Sequence, residues 1–237
     1  MQDQIDIGLP LDVAILSGLP ILPASSFDAM INDPPYASGG THASAHKASS
    51  TAKYGCHAHE DFAGDERDQR SHLAWMRLWL AECSRVLKEG APVLLFTDWR
   101  QLPLTTDALQ CAGFTWRGIA VWDKTEGVRP QLGRFRNQAE YVVWGSKGSM
   151  PVKRRAPVLP GVMRESVRKA DKHHLTGKPT DLMRQLVRIC EEGGNILDPF
   201  AGSGTTLVAA DREGYDWTGI EMTQHYFDVA RARLPTP

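Results

Sequence analysis

Two short segments of the chain carry residue types that can do chemistry. Asp33-Pro34-Pro35-Tyr36 sets a carboxylate and a backbone carbonyl side by side, next to an aromatic ring. Two such acceptors, the Asp33 carboxylate and the Pro34 carbonyl, can take both N–H bonds of a heteroaromatic amino group and leave its lone pair free to attack. Tyr36 offers a plate on which the ring stacks, a contact worth about 1 to 3 kcal/mol per base. Far downstream, Asp198-Pro199-Phe200-Ala201-Gly202-Ser203-Gly204-Thr205-Thr206 reads as a strand-to-helix turn. Its glycines let the backbone approach a ligand where a Cβ would collide, and the following helix exposes unpaired N–H groups. Glu221, at the end of the next predicted strand, is placed to accept hydrogen bonds from a ribose diol. Leu207 stands where a dinucleotide fingerprint would carry a third glycine, and no Gly-Lys-Thr follows, so NAD and nucleoside triphosphates are disfavoured.

Alternating elements must hold these segments in place. Residues 28–32 read as a buried strand that the Pro34-Pro35 pair stops, which puts Tyr36 just past a strand's carboxyl end. Residues 37–70 show little periodicity and read as a mobile lid or binding loop. Leu73, Met76, Leu80, Cys83 and Leu87 recur at helical spacing, and Val93–Phe96 follow as a buried strand. A helix over 103–112, strands near 115–122 and 139–144, and a helix over 180–190 come next. The series closes with strand 195–198, a helix over 205–213, strand 217–221 and a last helix through Leu234. This alternation predicts an α/β doubly wound, mostly parallel sheet with ligands at its carboxyl edge.

The chain has 237 residues, 42% hydrophobic and 23% charged, which suits one compact domain spanning 1–237. No run of 18 apolar residues and no basic leader is present, so a cytoplasmic location is expected. Cys56, Cys83, Cys111 and Cys190 form no Cys-x-x-Cys pair and read as reduced, mostly buried side chains. The formal net charge of −1 conceals an uneven distribution. Within 147–173, and on to Lys178, stand Lys147, Lys153, Arg154, Arg155, Arg164, Arg168, Lys169 and Lys172 against only Glu165 and Asp171, a stretch able to collect phosphates. Cys56-His57-Ala58-His59, with His42 and His46, matches no standard zinc spacing, so no metal is expected. The seven tryptophans, at 75, 79, 99, 116, 122, 144 and 217, read as core and edge packing. Arg134, Arg136 and Glu140 lie either near a nucleic acid or in an ion pair on a surface strand.

Together, the two segments resemble the amino-methylating DNA methyltransferases, and their order, catalytic before glycine-rich, is similar to the circularly permuted β class. That resemblance implies a Rossmann-like fold with a seven-stranded sheet and S-adenosylmethionine as methyl donor, with no metal. It assigns Asp33, Pro34, Pro35 and Tyr36 to catalysis. Asp198, Phe200, Gly202, Ser203, Gly204, Thr205 and Glu221 fall to the cofactor. His174-Leu175-Thr176-Gly177-Lys178-Pro179 is similar to the family's His-x-Thr-x-Lys-Pro segment, which would set Lys178 against the cofactor's methionine carboxylate. Leu16-Ser17-Gly18 stands where many relatives carry Gly-Asp.

In the β class, Asp-Pro-Pro-Tyr goes mainly with N6 of adenine and Ser-Pro-Pro-Tyr with N4 of cytosine, so adenine is favoured. DNA is the implied partner, as a duplex with the adenine flipped out or as a single strand, and a homodimer is compatible with the resemblance. Residues 37–70 and 147–173 would be the DNA-recognition elements. Their shortness implies a short target or weak sequence preference. N4-cytosine methylation, methylation of RNA, and a catalytically silent nucleic-acid-binding protein stay open as alternatives, as do restriction–modification, protection and regulation as biological roles.

Overall fold

The computed structural model describes residues 5–6, 18–37, 67–167 and 177–235. In chain order its elements are β1 (Ile5–Asp6), β2 (Ala29–Asn32), α1 (Gln69–Val86), β3 (Pro92–Thr97), α2 (Leu102–Cys111), β4 (Thr115–Asp123) and β5 (Ala139–Ser146). β6 (Val162–Arg164), α3 (Thr180–Val187), β7 (Asn195–Asp198), α4 (Thr205–Arg212), β8 (Asp216–Glu221) and α5 (Gln224–Arg233) follow. A seven-stranded sheet runs β8-β7-β2-β3-β5-β4-β6, and the two-residue β1 extends it beyond β8. Only β5 is antiparallel to its neighbours β3 and β4; the other pairings are parallel.

A parallel strand covered on both faces must be apolar almost throughout. β2 and β3 meet that condition, since every residue in them is buried. Alternation along β2 sends Met30 to one face and Ala29 and Ile31 to the other. Met30 packs with Trp75, Trp79 and Leu80 of α1 and Leu109 of α2. Ala29 and Ile31 pack with Leu182, Met183 and Leu186 of α3 and Leu207 of α4.

α1 starts at Gln69, four residues before the apolar pattern, because the Asp68 side chain accepts from the Arg70 and Ser71 backbone N–H groups. Its inner stripe includes His72, whose ring stacks on Trp75 with centroids 5.5 Å apart. β6 was not expected. It lies within the basic stretch, carries one buried residue, Met163, and pairs with β4.

β2 and β7 lie side by side in register Ala29↔Ile196 and Met30↔Leu197. Residues 167 positions apart therefore meet, and the chain reverses its winding direction between these two strands. The carboxyl ends of β2, β7 and β8 open on one edge, together with the end of β4, the start of β5 and the end of β6. Crevices at such reversals are where open α/β sheets bind ligands.

Candidate active site

β2 ends at Asn32, and Pro34-Pro35 withholds the two N–H groups that would continue its ladder. Asp33 and Tyr36 are thereby released above the sheet edge. There they meet Glu140, from the second position of β5, and Lys178, which precedes α3. The Tyr36 hydroxyl lies 2.5 Å from Asp33 Oδ1 and 2.8 Å from Glu140 Oε1, and donates its one proton to one of them at a time. Lys178 Nζ is 2.7 Å from Asp33 Oδ2, 2.8 Å from Glu140 Oε1 and 3.0 Å from the Tyr36 oxygen. Lys124 Nζ completes the set, 3.3 Å from Glu140 Oε2. The ammonium of Lys178 also lies 5.0 Å from the Phe96 ring centroid.

Two carboxylates and two ammoniums balance in charge, which is how a largely desolvated cluster of this kind becomes tolerable. Burial is the strongest influence on Asp33 and lifts its carboxyl above the ordinary range, with Lys178 pulling back and Glu140 adding to the rise. Burial also pushes Glu140 up, but Lys178 and Lys124, with hydrogen bonds from Lys178 and Tyr36, carry it below its usual value. Burial opposes the charge on Lys178, yet Asp33 and Glu140 raise its pKa and keep it cationic. Burial and the adjacent carboxylates hold the Tyr36 phenol well above its ordinary pKa, so it stays a proton donor. The geometry thus sets Lys178 in one cluster with Asp33, Glu140 and Tyr36, bonded to the Asp33 carboxylate.

The glycine-rich turn after β7 divides its labour. Gly202 is left-handed at φ +51°, and a Cβ there would meet nothing closer than the Phe200 carbonyl at 4.0 Å, so its outer side is open. Gly204, at φ +76°, caps α4 under a different constraint: a Cβ would lie 2.8 Å from the Ala230 Cβ of α5. Packing against α5 therefore requires a glycine here. The Ser203 and Thr205 hydroxyls lie 3.2 and 3.1 Å from an Arg233 guanidinium nitrogen, so both serve the α4–α5 contact. Phe200 is wedged edge-on against Trp75 and Trp79, at 5.7 and 4.9 Å. Asp198 is buried, accepts from the Phe200 N–H at 3.1 Å, and is pushed up to about 7 by burial.

Glu221 accepts from Gly202 N at 2.9 Å through Oε2, and from Thr223 N and Oγ1 at 2.8 and 2.7 Å through Oε1. A carboxylate has about four lone-pair directions, so Oε2 keeps one for a ribose hydroxyl. The open face of Gly202 and this spare acceptor fit the adenosine half of S-adenosylmethionine.

Loop residues 38–66, with Cys56, His57, His59, His42 and His46, fall outside the described residues, as do Leu16, Ser17 and 168–176. Among the described residues no cluster of three or more metal-ligating side chains occurs, and no helix is long and apolar enough to cross a membrane. The described residues of the basic stretch do not form one patch beside the site. Lys147 Nζ bonds the Leu87 carbonyl and Arg154 pairs with Glu191, both at the sheet's amino edge, whereas Arg164 ends β6 at the carboxyl edge. Cys83 and Cys190 are buried free thiols, and Cys111 is exposed. Trp75, Trp79, Trp122 and Trp217 are core residues, whereas Trp99 and Trp116 are exposed.

Sequence reasoning missed Lys124 as a cluster member. It also missed Asn32, wholly buried one residue before Asp33, with neither amide atom bonded to a protein partner. A buried amide in that state suits an ordered water or a ligand group. The preceding word Ile31-Asn32 was the only signal, a polar residue closing a buried strand.

The family described as DNA methylase matches residues 27–232. The type II methyltransferase M.HindIII of Haemophilus influenzae is 24% identical over 274 residues, covering 93% of this chain and 88% of that protein. The solved structure of an M1.HpyAVI–SAM complex superposes with a TM-score of 0.69 at 19% identity, covering 100% of both chains. PvuII DNA methyltransferase, cytosine-N4-specific by name, superposes with a TM-score of 0.67 at 17% identity, covering 92% of this chain and 83% of that one.

Proposed function

This chain belongs to the N6/N4 DNA methylase family, and we propose that it transfers the methyl group of S-adenosylmethionine to N6 of adenine in DNA. The observation that carries the reading is the junction of the two segments: β2 and β7 are parallel neighbours, and their register, carried onward, brings Asp33 level with Phe200.

The cofactor, when bound, supplies a methyl carbon already activated on a sulfonium, so the protein's contribution is chiefly positioning. The target nitrogen is hidden in a stacked duplex, and the nucleotide has to be flipped out to reach the edge where Asp33 stands. Tyr36 and Lys178 use two of the lone-pair directions on Asp33, which leaves two for the incoming amino group. Asp33 accepts one N–H and the Pro34 carbonyl the other. Their joint pull concentrates the lone pair on nitrogen and stabilises the positive charge that develops there as the C–N bond forms. The nitrogen then releases a proton, and the Asp33 carboxylate is the base within reach. Glu140 and Lys178 hold the carboxylate and the Tyr36 ring in fixed relation, so little reorganisation is left for the reaction itself.

Adenine is favoured because an aspartate, not a serine, opens the catalytic segment. The test is a labelled-methyl assay on unmethylated duplex DNA, single-stranded DNA and RNA, followed by nucleoside mass spectrometry. The expected product is N6-methyladenine from DNA, with Asp33→Ala slower by at least about 100-fold. Label found as N4-methylcytosine would move the reading to cytosine; label only in RNA, or full activity in Asp33→Ala, would overturn it.

A further inference from the structure

Between β4 and β5 a 15-residue loop, 124–138, rises from the catalytic edge. Its root is part of the site: Lys124 and Glu140 are ion-paired, and Glu140 touches Tyr36 and Lys178. Its body is braced. Arg136 donates to the Glu126 and Val128 carbonyls at 2.5 and 2.6 Å, and Arg164 pairs with Glu126 and, at 3.6 Å, with Asp123. Its tip is a β-turn, with Arg134 N donating to the Gln131 carbonyl at 3.2 Å and Gly133 at φ +71°. That geometry pushes Leu132 outward at the turn's second position. Leu132 and Phe135 are both as exposed as free residues, at 102%.

Single exposed apolar residues need no explanation. Two large ones on a braced tip, at the edge that handles the substrate, do. The loop also carries Lys124, Arg129, Arg134 and Arg136 against Glu126 alone; Arg129 precedes the apolar pair and Arg134 stands between its two members. Apolar side chains interleaved with cations match a duplex, whose stacked bases lie beside phosphate rails.

Resting on the DNA reading above, we propose that Leu132 and Phe135 form a wedge that enters the base stack beside the target adenine and fills the gap left when it flips. Arg129 and Arg134 hold the flanking phosphates. The reach is sufficient: eight residues from Lys124 to Leu132 span at most about 28 Å, against a major-groove depth of about 8.5 Å.

The wedge acts only on stacked, paired DNA, so the readout is the ratio of kcat/KM on native to heat-denatured bacterial DNA, which contains every short target site. Leu132→Ser/Phe135→Ser lowers that ratio at least about tenfold, the loss of stacking on one base. Leu132→Met/Phe135→Leu, which restores the apolar volume, returns it to within about threefold of wild type. Thermal unfolding confirms that both variants are folded. An unchanged ratio in the serine variant, with methylation intact, overturns the wedge and leaves methyl transfer standing. A wild-type protein that labels neither form of DNA overturns the methyl-transfer reading, and the wedge falls with it. Sedimentation without DNA that shows a wild-type dimer and a monomeric serine variant overturns the wedge by assigning the pair to self-association.

Discussion

Gly202 and Gly204 stand two residues apart in one turn, both left-handed, yet alanine should do opposite things at each. At Gly202 the added methyl finds open space, so stability loses only the cost of a left-handed alanine, about 1 to 2 kcal/mol. At Gly204 that cost recurs, and the methyl meets the Ala230 Cβ at 2.8 Å and its Cα at 3.2 Å, backbone-anchored atoms that cannot swing away. Overpacking of this kind adds about 1 to 3 kcal/mol, for a sum of about 2 to 5 kcal/mol. At about 2 to 4 °C per kcal/mol for a chain of this size, Gly202→Ala should lower Tm by about 2 to 8 °C and Gly204→Ala by about 4 to 20 °C. Affinity should run the other way. If the cofactor approaches over the open face of Gly202, as proposed, calorimetric titration with S-adenosylmethionine should show at least about a tenfold weaker Kd. Gly204→Ala, measured well below its Tm, should bind within about threefold of wild type. Equal Tm losses, or an unweakened Kd in Gly202→Ala, would refute the division of roles between the two glycines.

Two predictions concern charge. Glu140 is one of the groups that raise the Asp33 carboxyl, so Glu140→Gln should move the acid limb of the kcat–pH profile to lower pH. It should also reduce kcat about tenfold as Lys178 and Tyr36 lose a shared anchor; an unmoved acid limb would contradict the coupling. Asp198 and His72 oppose one another in stability. Asp198 rises from 3.8 unfolded to about 7 folded through burial, so the folded state holds an extra proton between those values and stability falls as pH rises across them. His72 drops from 6.5 to about 4, through burial and then Arg67, so the folded state lacks a proton there and stability rises with pH across that window. Relative to wild type, urea unfolding between pH 4.5 and 6.5 should show stability climbing with pH in Asp198→Asn and declining in His72→Phe, each by up to about 1.4 kcal/mol per pH unit. Parallel curves for all three proteins would refute both assignments.

The sheet edge was legible because proline and glycine dictate backbone whatever surrounds them. Pro34-Pro35 had to end a strand, and the Gly202 turn had to join a strand to a helix. The alternation of elements was legible for the same local reasons. Contacts between distant residues were not. The resemblance of 174–179 sets Lys178 at the cofactor, but its contacts with Asp33 and Tyr36, 145 and 142 positions away, leave no local signal. Gly204 reads as a ligand glycine, and its packing against Ala230 of α5 shows only in the fold. β6 escaped because three residues with one buried side chain carry no periodicity. Leu132 and Phe135 escaped because exposure is a property of the folded loop, and nothing in Pro130-Gln131-Leu132-Gly133 reveals it.

The permuted connection also governs how the chain is made. β2 can dock on β3 once the first hundred residues have left the ribosome, but its other neighbour, β7, is encoded 167 positions later. At about 5 to 20 residues per second, β7 follows β2 by roughly 8 to 33 s, and until then one margin of β2 keeps its backbone N–H and C=O groups unpaired. Nascent protein in that interval presents an adhesive ribbon, a liability of late-closing parallel sheets. A chain truncated before Asn195 would keep that margin open, so segment order alone leaves it prone to pair with other chains.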